Sequence, residues 1–247
     1  MVRACIIFFL AFLTLPLSAQ DYEREKRWSA EIVPGLVVGE AVWLEGPGGR
    51  KFLGLLAETR NAPAAILLVH GVGVHPDHGV IGALRTSLAD AGYTTLSIQM
   101  PVRKADAALN DYYPAVFPEA VERIGSAARW LEAKGIRRTV LLSHSMGSWM
   151  SNVYYEGTPA APFSAWVCLG LTGGYGSMRN VRVPVLDVHG ENDLPNVLRA
   201  DWRRRLTITS IAGSRQVRIA GADHFYAGKE KELAAAIDTF IREQVAK

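Results

Sequence analysis

The segment LLSHSMGS, Leu141–Ser148, carries an apolar run into Ser145. A serine hydroxyl is a weak nucleophile at neutral pH and needs a base within hydrogen-bond reach to take its proton. Two other apolar runs end near suitable partners. VLDVHG is followed by Glu191, Asn192 and Asp193, and VRIAG is followed by Asp223 and His224. A histidine in that position can accept the serine proton through one ring nitrogen. A carboxylate on the other ring N–H then fixes the tautomer and stabilises the imidazolium. A fourth run, ILLVHG, leads into the glycine-rich turn His70-Gly71-Val72-Gly73. Each residue also has an ordinary role: Ser145 as a helix N-cap, Asp193 as the cap of a helix starting at Leu194-Pro195, His224 as a loop residue. What favours chemistry is the joint placement of serine, acid and histidine, in that order, at three strand ends.

The elements that must hold these residues alternate. LVVGEAVWLE and KFLGLLAET, separated by GPGGR, read as a hairpin. AAILLVHG, YTTLSIQMP, RRTVLLSHS, SAWVCLGL, VPVLDVHG and SRQVRIAG read as strands. Several are continuous apolar runs, the pattern of parallel strands buried on both faces. Between them IGALRTSLADAG, FPEAVERIGSAARWLEAKG, MGSWMSNVYYEG, LPNVLRADWRRRL and KEKELAAAIDTFIREQ read as helices. Two lead-in strands followed by repeated βα units predict one open, mostly parallel sheet, whose ligands bind beyond the carboxyl ends of its strands.

Composition agrees with one folded domain. The chain has 247 residues, 49% apolar and 21% charged, the composition of a soluble globular chain and not of a disordered one. A formal charge of +3 is too small to argue for nucleic acid as a partner. Arg3, the apolar run Ala4–Leu15, Pro16 and the small residues before Gln20 form the three-part pattern of a secretory signal peptide, residues 1–19. The run is short for a bilayer span, which wants about 20 apolar residues, so no stable span is expected after cleavage. Cleavage would remove Cys5 and leave Cys168 as the only cysteine, with no intramolecular disulfide possible. Residues 20–35 read as a charged, aperiodic, flexible lead-in to a domain over residues 36–247.

From about Val37 to the C-terminus the sequence resembles the α/β-hydrolases, through LLVHGVG, SHSMGS, VHGENDLP and GADHFY. More narrowly, HGVGVHPDHGVIGALRTSLADAGYTTLSIQMPV is similar to a group of uncharacterised bacterial α/β-hydrolase-like proteins. The resemblance implies an α/β-hydrolase fold, a mostly parallel twisted sheet of about eight strands with helices on both faces. It implies Ser145 as nucleophile, His224 as base and Asp193 as acid, preferred over Glu191 because its spacing from Gly190 matches the family loop. Backbone N–H groups of Val72 and Met146 would form the oxyanion hole, with His70, Gly71 and Gly147 supporting the motifs. The implied activity is an exported serine hydrolase cleaving an ester, thioester or amide of a small-molecule or acyl substrate, without cofactor or metal. The alternative is a non-catalytic scaffold of the same fold that binds a ligand or partner.

One position departs from the family pattern. The elbow G-x-S-x-G has Ser143 where its first glycine belongs, so Ser143 either strains the turn or hydrogen-bonds near the site. His144 is expected to point away, His189 to be structural, and HPDH, His75–His78, to be a loop rather than a metal shell. Arg199, Arg203, Arg204 and Arg205 read as a solvated helix face, the alternative being contact with an anionic surface or substrate. Of Trp149, Tyr154 and Tyr155, some must be core and one or two could line an acyl pocket. The stretch from Leu171 to Val183 is too short for a lid domain, and Tyr112 and Tyr113 are expected to wall the cleft instead. The exported protein should begin near Gln20. N-terminal sequencing checks this, and an intact Met1 or Val2 on a soluble cytoplasmic form contradicts it.

Overall fold

The computed structural model describes residues 20–112 and 115–245, so the expected signal peptide and Tyr113 lie outside the described residues. Eight strands form one sheet: β1 (Glu40–Glu45), β2 (Lys51–Ala57), β3 (Ala65–Val69), β4 (Thr94–Ile98), β5 (Thr139–His144), β6 (Ala165–Leu169), β7 (Val185–Gly190) and β8 (Arg215–Ile219). Their spatial order is β1-β2-β4-β3-β5-β6-β7-β8. β2 pairs antiparallel with β1 and β4; every pairing from β4 to β8 is parallel.

The continuous apolar runs are explained by cover on both faces. Ile66 and Leu68 of β3 join a core with α2 (Gly79–Asp90) and α7 (Glu230–Val245), through Leu84, Leu88, Ile237 and Phe240. Leu67 and Val69 point the other way, into a core with α3 (Phe117–Ala133) and α4 (Met146–Gly157), through Ile124, Ala128, Met150 and Tyr154. Alternation by two along a strand sends neighbours to opposite faces, and helices make both faces dry. The carboxyl ends of β3, β5, β6, β7 and β8 therefore open on one edge of the sheet, carrying loops with His70, Ser145, Gly170, Asp193 and His224.

The lead-in differs from expectation. Tyr22–Ile32 is a helix, α1, capped by the Asp21 carboxylate on the Arg24 N–H at 2.9 Å. Its inward face is polar: Glu25 and Ser29 are the buried residues, which hid it from a search for an apolar stripe. It is held by the buried Arg123 of α3, whose Nη2 donates to both Glu25 oxygens at 3.2 and 3.0 Å and also pairs with Glu119. Arg24 donates to the carbonyls of Arg103 at 2.9 Å and Gly73 at 3.1 Å, and so ties α1 to the loop after β3.

A second correction concerns the arginines. LPNVLRADWRRRL forms two short helices, α5 (Pro195–Leu198) and α6 (Asp201–Thr209). Arg199, Arg203 and Arg205 are exposed, but Arg204 is fully buried. It pairs with buried Asp187 of β7 at 3.1 Å and donates to the carbonyls of Leu171, Gly173 and Val197 at 3.0, 3.0 and 2.9 Å. One side chain thus joins β7, the β6–β7 connection and α5; breaking such a buried pair typically costs about 3–5 kcal/mol. Among the described residues no helix is long and apolar enough to cross a membrane. Cys168 is a free, buried thiol.

Burial raises the Glu25 pKa to about 7 against the opposing pull of Arg123, which Glu119 shares. In the folded protein Glu25 holds its proton below that value, whereas in the unfolded chain it loses it near the ordinary glutamate pKa, about 4.3. Stability contributed by Glu25 is therefore full below about pH 4.5 and lost as pH rises through about 7. Thermal melts of the wild type and Glu25→Gln from pH 5 to 8 should show the wild type losing ground to the variant as pH rises. A constant difference contradicts this.

Candidate active site

Ser145 stands between β5 and α4 at φ 56°, ψ −121°, a region rarely occupied by a residue with a side chain. It makes no side-chain cap on α4, so the N-cap role is not the one it plays. The turn is tight because α4 starts against the end of β3. A Cβ on Gly147 would lie 2.5 Å from the His70 carbonyl oxygen and 2.7 Å from that of Val69, so only glycine fits. The Ser145 N–H donates to the Leu169 carbonyl at 2.8 Å, and the Ser148 hydroxyl reaches the Ser143 and Leu169 carbonyls at 3.0 and 3.2 Å. With the backbone so pinned, the Ser145 side chain projects off the strand end.

It projects to His224. Ser145 Oγ is 3.0 Å from His224 Nε2, and His224 Nδ1 is 2.6 Å from Asp193 Oδ1. Burial acts to raise the Asp193 pKa, but the His224 hydrogen bond and charge, with the Gly190 and Leu194 N–H groups at 3.1 and 2.7 Å, outweigh it and hold the carboxyl below its ordinary value. Asp193 is thus a carboxylate aimed at the ring N–H. Glu191 is turned outward to the Gly221 N–H at 2.9 Å. His189 lies in β7 with its Nε2 4.0 Å from Asp201, and His75 is edge-on to Trp28 and His78. Asp77, within HPDH, is engaged by Arg85 at 2.8 Å.

Gly71 lies against the same turn, its Cβ position 3.2 Å from that of Ser145. The loop beyond it is set by His70. The Met100 N–H donates to His70 Nε2 at 2.8 Å, which leaves the Nδ1–H to donate to the Gly71 carbonyl at 2.8 Å. Burial pulls the His70 pKa down to about 3, so the ring stays neutral and this pattern holds. Among the described residues, the N–H groups of Val72 and Met146 have no hydrogen-bond partner within the backbone. A serine hydrogen-bonded to a histidine that is in turn bonded to a carboxylate is an arrangement that can add a hydroxyl to a carbonyl.

A family described as a protein of unknown function, DUF3530, matches residues 19–128. No curated protein matches the sequence. Among solved structures, a serine hydrolase without a lid from Xanthomonas campestris is 17% identical over 84% of this chain and 95% of its own, with a TM-score of 0.67. Dienelactone hydrolase from Anabaena variabilis is 20% identical over 83% and 96%, with a TM-score of 0.68. An α/β serine hydrolase homologue from Coxiella burnetii is 17% identical over 83% and 98%, with a TM-score of 0.65. This chain has the α/β-hydrolase fold.

Within that α/β-hydrolase fold, Ser143 takes the place of the first elbow glycine by acquiring a partner. Its hydroxyl accepts the indole N–H of fully buried Trp166 at 2.9 Å. Of the two readings open in the sequence, hydrogen bonding is the one observed. His144 departs from expectation: it faces the histidine loop. Its ring lies 4.9 Å from that of His224, and its Nε2–H donates to the His224 carbonyl at 2.9 Å. Burial, then the nearby His224 charge, lowers its pKa to about 4, so it stays neutral beside an imidazolium. Tyr226, at φ 56°, donates to the Val188 carbonyl at 3.1 Å and anchors the other side of that loop.

Sequence reasoning also missed Gly170, at φ 57°, where a Cβ would lie 3.0 Å from His224 Cε1. A glycine directly after a strand was the only signal. Tyr112 is buried in the core, its hydroxyl 3.5 Å from the Cβ position of Gly73 in the loop after β3. Tyr154 and Tyr155 are core, while Trp149 is half-buried and lines a cleft beside the site. Gly147→Ala should therefore lower the melting temperature and disrupt Ser145. Ser143→Gly, which strands the Trp166 N–H, should cost about 1–3 kcal/mol while leaving the serine–histidine geometry in place. Melts and crystal structures of both variants check this; an unchanged melt for either contradicts it.

Proposed function

We propose that the protein is an exported serine hydrolase that cleaves an ester, thioester or amide through an acyl-enzyme on Ser145. The observation that carries this reading is the hydrogen-bonded chain Ser145 Oγ, His224 Nε2 and Nδ1, Asp193 Oδ1 at 3.0 and 2.6 Å, on a turn strained at Ser145. Solved serine hydrolases of similar fold support the class of chemistry. The leader pattern of residues 1–19 supports export.

The proposed steps use these groups in turn. Ser145 Oγ attacks the substrate carbonyl carbon as its proton passes to His224 Nε2. The carbonyl oxygen takes the electron pair and faces the N–H groups of Val72 and Met146. Asp193 holds the Nδ1–H and offsets the imidazolium charge. Collapse breaks the bond to the leaving group, which departs with the proton from His224. A water then repeats the sequence on the acyl-enzyme, freeing the acid and restoring Ser145. Neutral His144 adds no positive charge against protonation of His224.

The test is turnover of short-chain 4-nitrophenyl esters by the mature protein and its variants. Ser145→Ala and His224→Ala should each lose on the order of 10⁶-fold in kcat, and the double variant little more, because the residues act as a unit. Asp193→Asn should lose on the order of 10⁴-fold. Retention of most of the rate by His224→Ala, with its loss in Ser145→Ala, contradicts the relay. No turnover by a folded wild type across an acyl-chain series favours the scaffold reading.

A further inference from the structure

A cleft of about 670 Å³ is lined by Trp149, Thr172, Gly173, Asn196, Arg199, Ala200 and Arg203. Its volume is that of a small-molecule site. Each wall continues a segment that carries a member of the site. Trp149 lies in the first turn of α4, four residues after Ser145. Thr172 and Gly173 follow Gly170, which abuts His224. Asn196 lies three residues after Asp193, and its carbonyl accepts the Gly173 N–H at 3.0 Å. The cleft is thus walled by segments that also carry the site, although Ser145, Asp193 and His224 do not themselves line it.

Its charge is one-sided. Arg199 and Arg203 are both exposed, four residues apart, and neither forms an ion pair among the described residues. Arg199 donates to the neutral side-chain oxygen of Asn196, and the Arg203 guanidinium lies 5.2 Å from the Trp202 ring centroid. The nearest acid in sequence, Asp201, does not line the cleft; its side chain bonds its own helix start at the Trp202 N–H. Arg204, between Arg203 and Arg205 in α6, is turned inward to Asp187. Arg199, at the end of α5, and Arg203, in α6, both line the cleft, and guanidinium forks match carboxylate and phosphate oxygens.

We propose that Arg199 and Arg203 form an anion-recognition site and that the substrate is an ester or related acyl compound bearing a carboxylate or phosphate, with its apolar part against Trp149. This rests on the serine-hydrolase reading for its chemistry, not for its binding. In the substrate the anionic group and the scissile carbonyl would be close enough to bridge the cleft and Ser145.

Two pairs of esters test it. The 4-nitrophenyl ester of hemiglutarate is set against that of monomethyl glutarate, and 4-acetoxybenzoate against its methyl ester. They place the negative charge on the acyl and leaving sides respectively. The wild type should prefer the charged member of at least one pair by about 10-fold or more in kcat/KM, and Arg199→Gln/Arg203→Gln should bring the ratio towards one through KM. Calorimetric binding of monomethyl glutarate against dimethyl glutarate to Ser145→Ala, with and without the arginine changes, reads the cleft without turnover. Binding of the charged ester, lost with the arginines, supports the site even if no ester is hydrolysed, a result that removes only the serine-hydrolase reading. No charge preference in turnover and binding, or a preference that survives the double arginine change, overturns the proposal.

Discussion

The contact between α4 and the end of β3 leaves no space for a side chain at Gly147, whose neighbours are the carbonyl oxygens of Val69 and His70. That exclusion forces the chain to turn sharply as it leaves β5, and Ser145 absorbs the turn at positive φ. Strain of this kind, typically about 1–3 kcal/mol, persists only where surrounding structure over-determines it. Here the surroundings are the Leu169 carbonyl, the Ser148 hydroxyl and the two cores that hold β3, β5 and β6 side by side. The sheet thus spends its rigidity on one hydroxyl.

The other half of the site depends on keeping a small number of buried polar groups satisfied. Asp193 remains ionised although burial opposes it, because His224 and two backbone N–H groups supply partners. His144 and His70 stay neutral, and each uses its fixed tautomer to hold a loop. Beneath them the Arg204–Asp187 pair joins β7 to the segments that border the cleft. The histidine loop, the loop after β3 and the arginine-lined cleft are therefore connected through main-chain carbonyls as well as side-chain contacts.

Much of this was legible in the sequence because parallel strands buried on both faces leave unbroken apolar runs, and because the loops at their carboxyl ends concentrate chemistry. Ser145, Asp193 and His224 are spread over the chain, yet strand-end placement, with the family spacing that singled out Asp193 over Glu191, brought them together. What escaped the sequence lacks a local pattern. The α1 helix docks by a polar face, and its anchor Arg123 lies 98 residues from Glu25. Arg204 looks identical to its exposed neighbours until the fold buries it against Asp187. His144 reads as a turn residue, and its partner is a carbonyl 80 residues away. Ser143 looked like a flaw in the elbow until Trp166 supplied the reason for its hydroxyl.

The central claim is that Ser145 is a nucleophile activated by His224. Its most direct test is the reaction of the folded protein with a fluorophosphonate, followed by intact mass and peptide mapping across neutral to mildly alkaline pH. One adduct per chain is expected, on Ser145, absent from Ser145→Ala and strongly slowed in His224→Ala. A folded wild-type protein that takes up no label, or takes it up equally in Ser145→Ala, would contradict it.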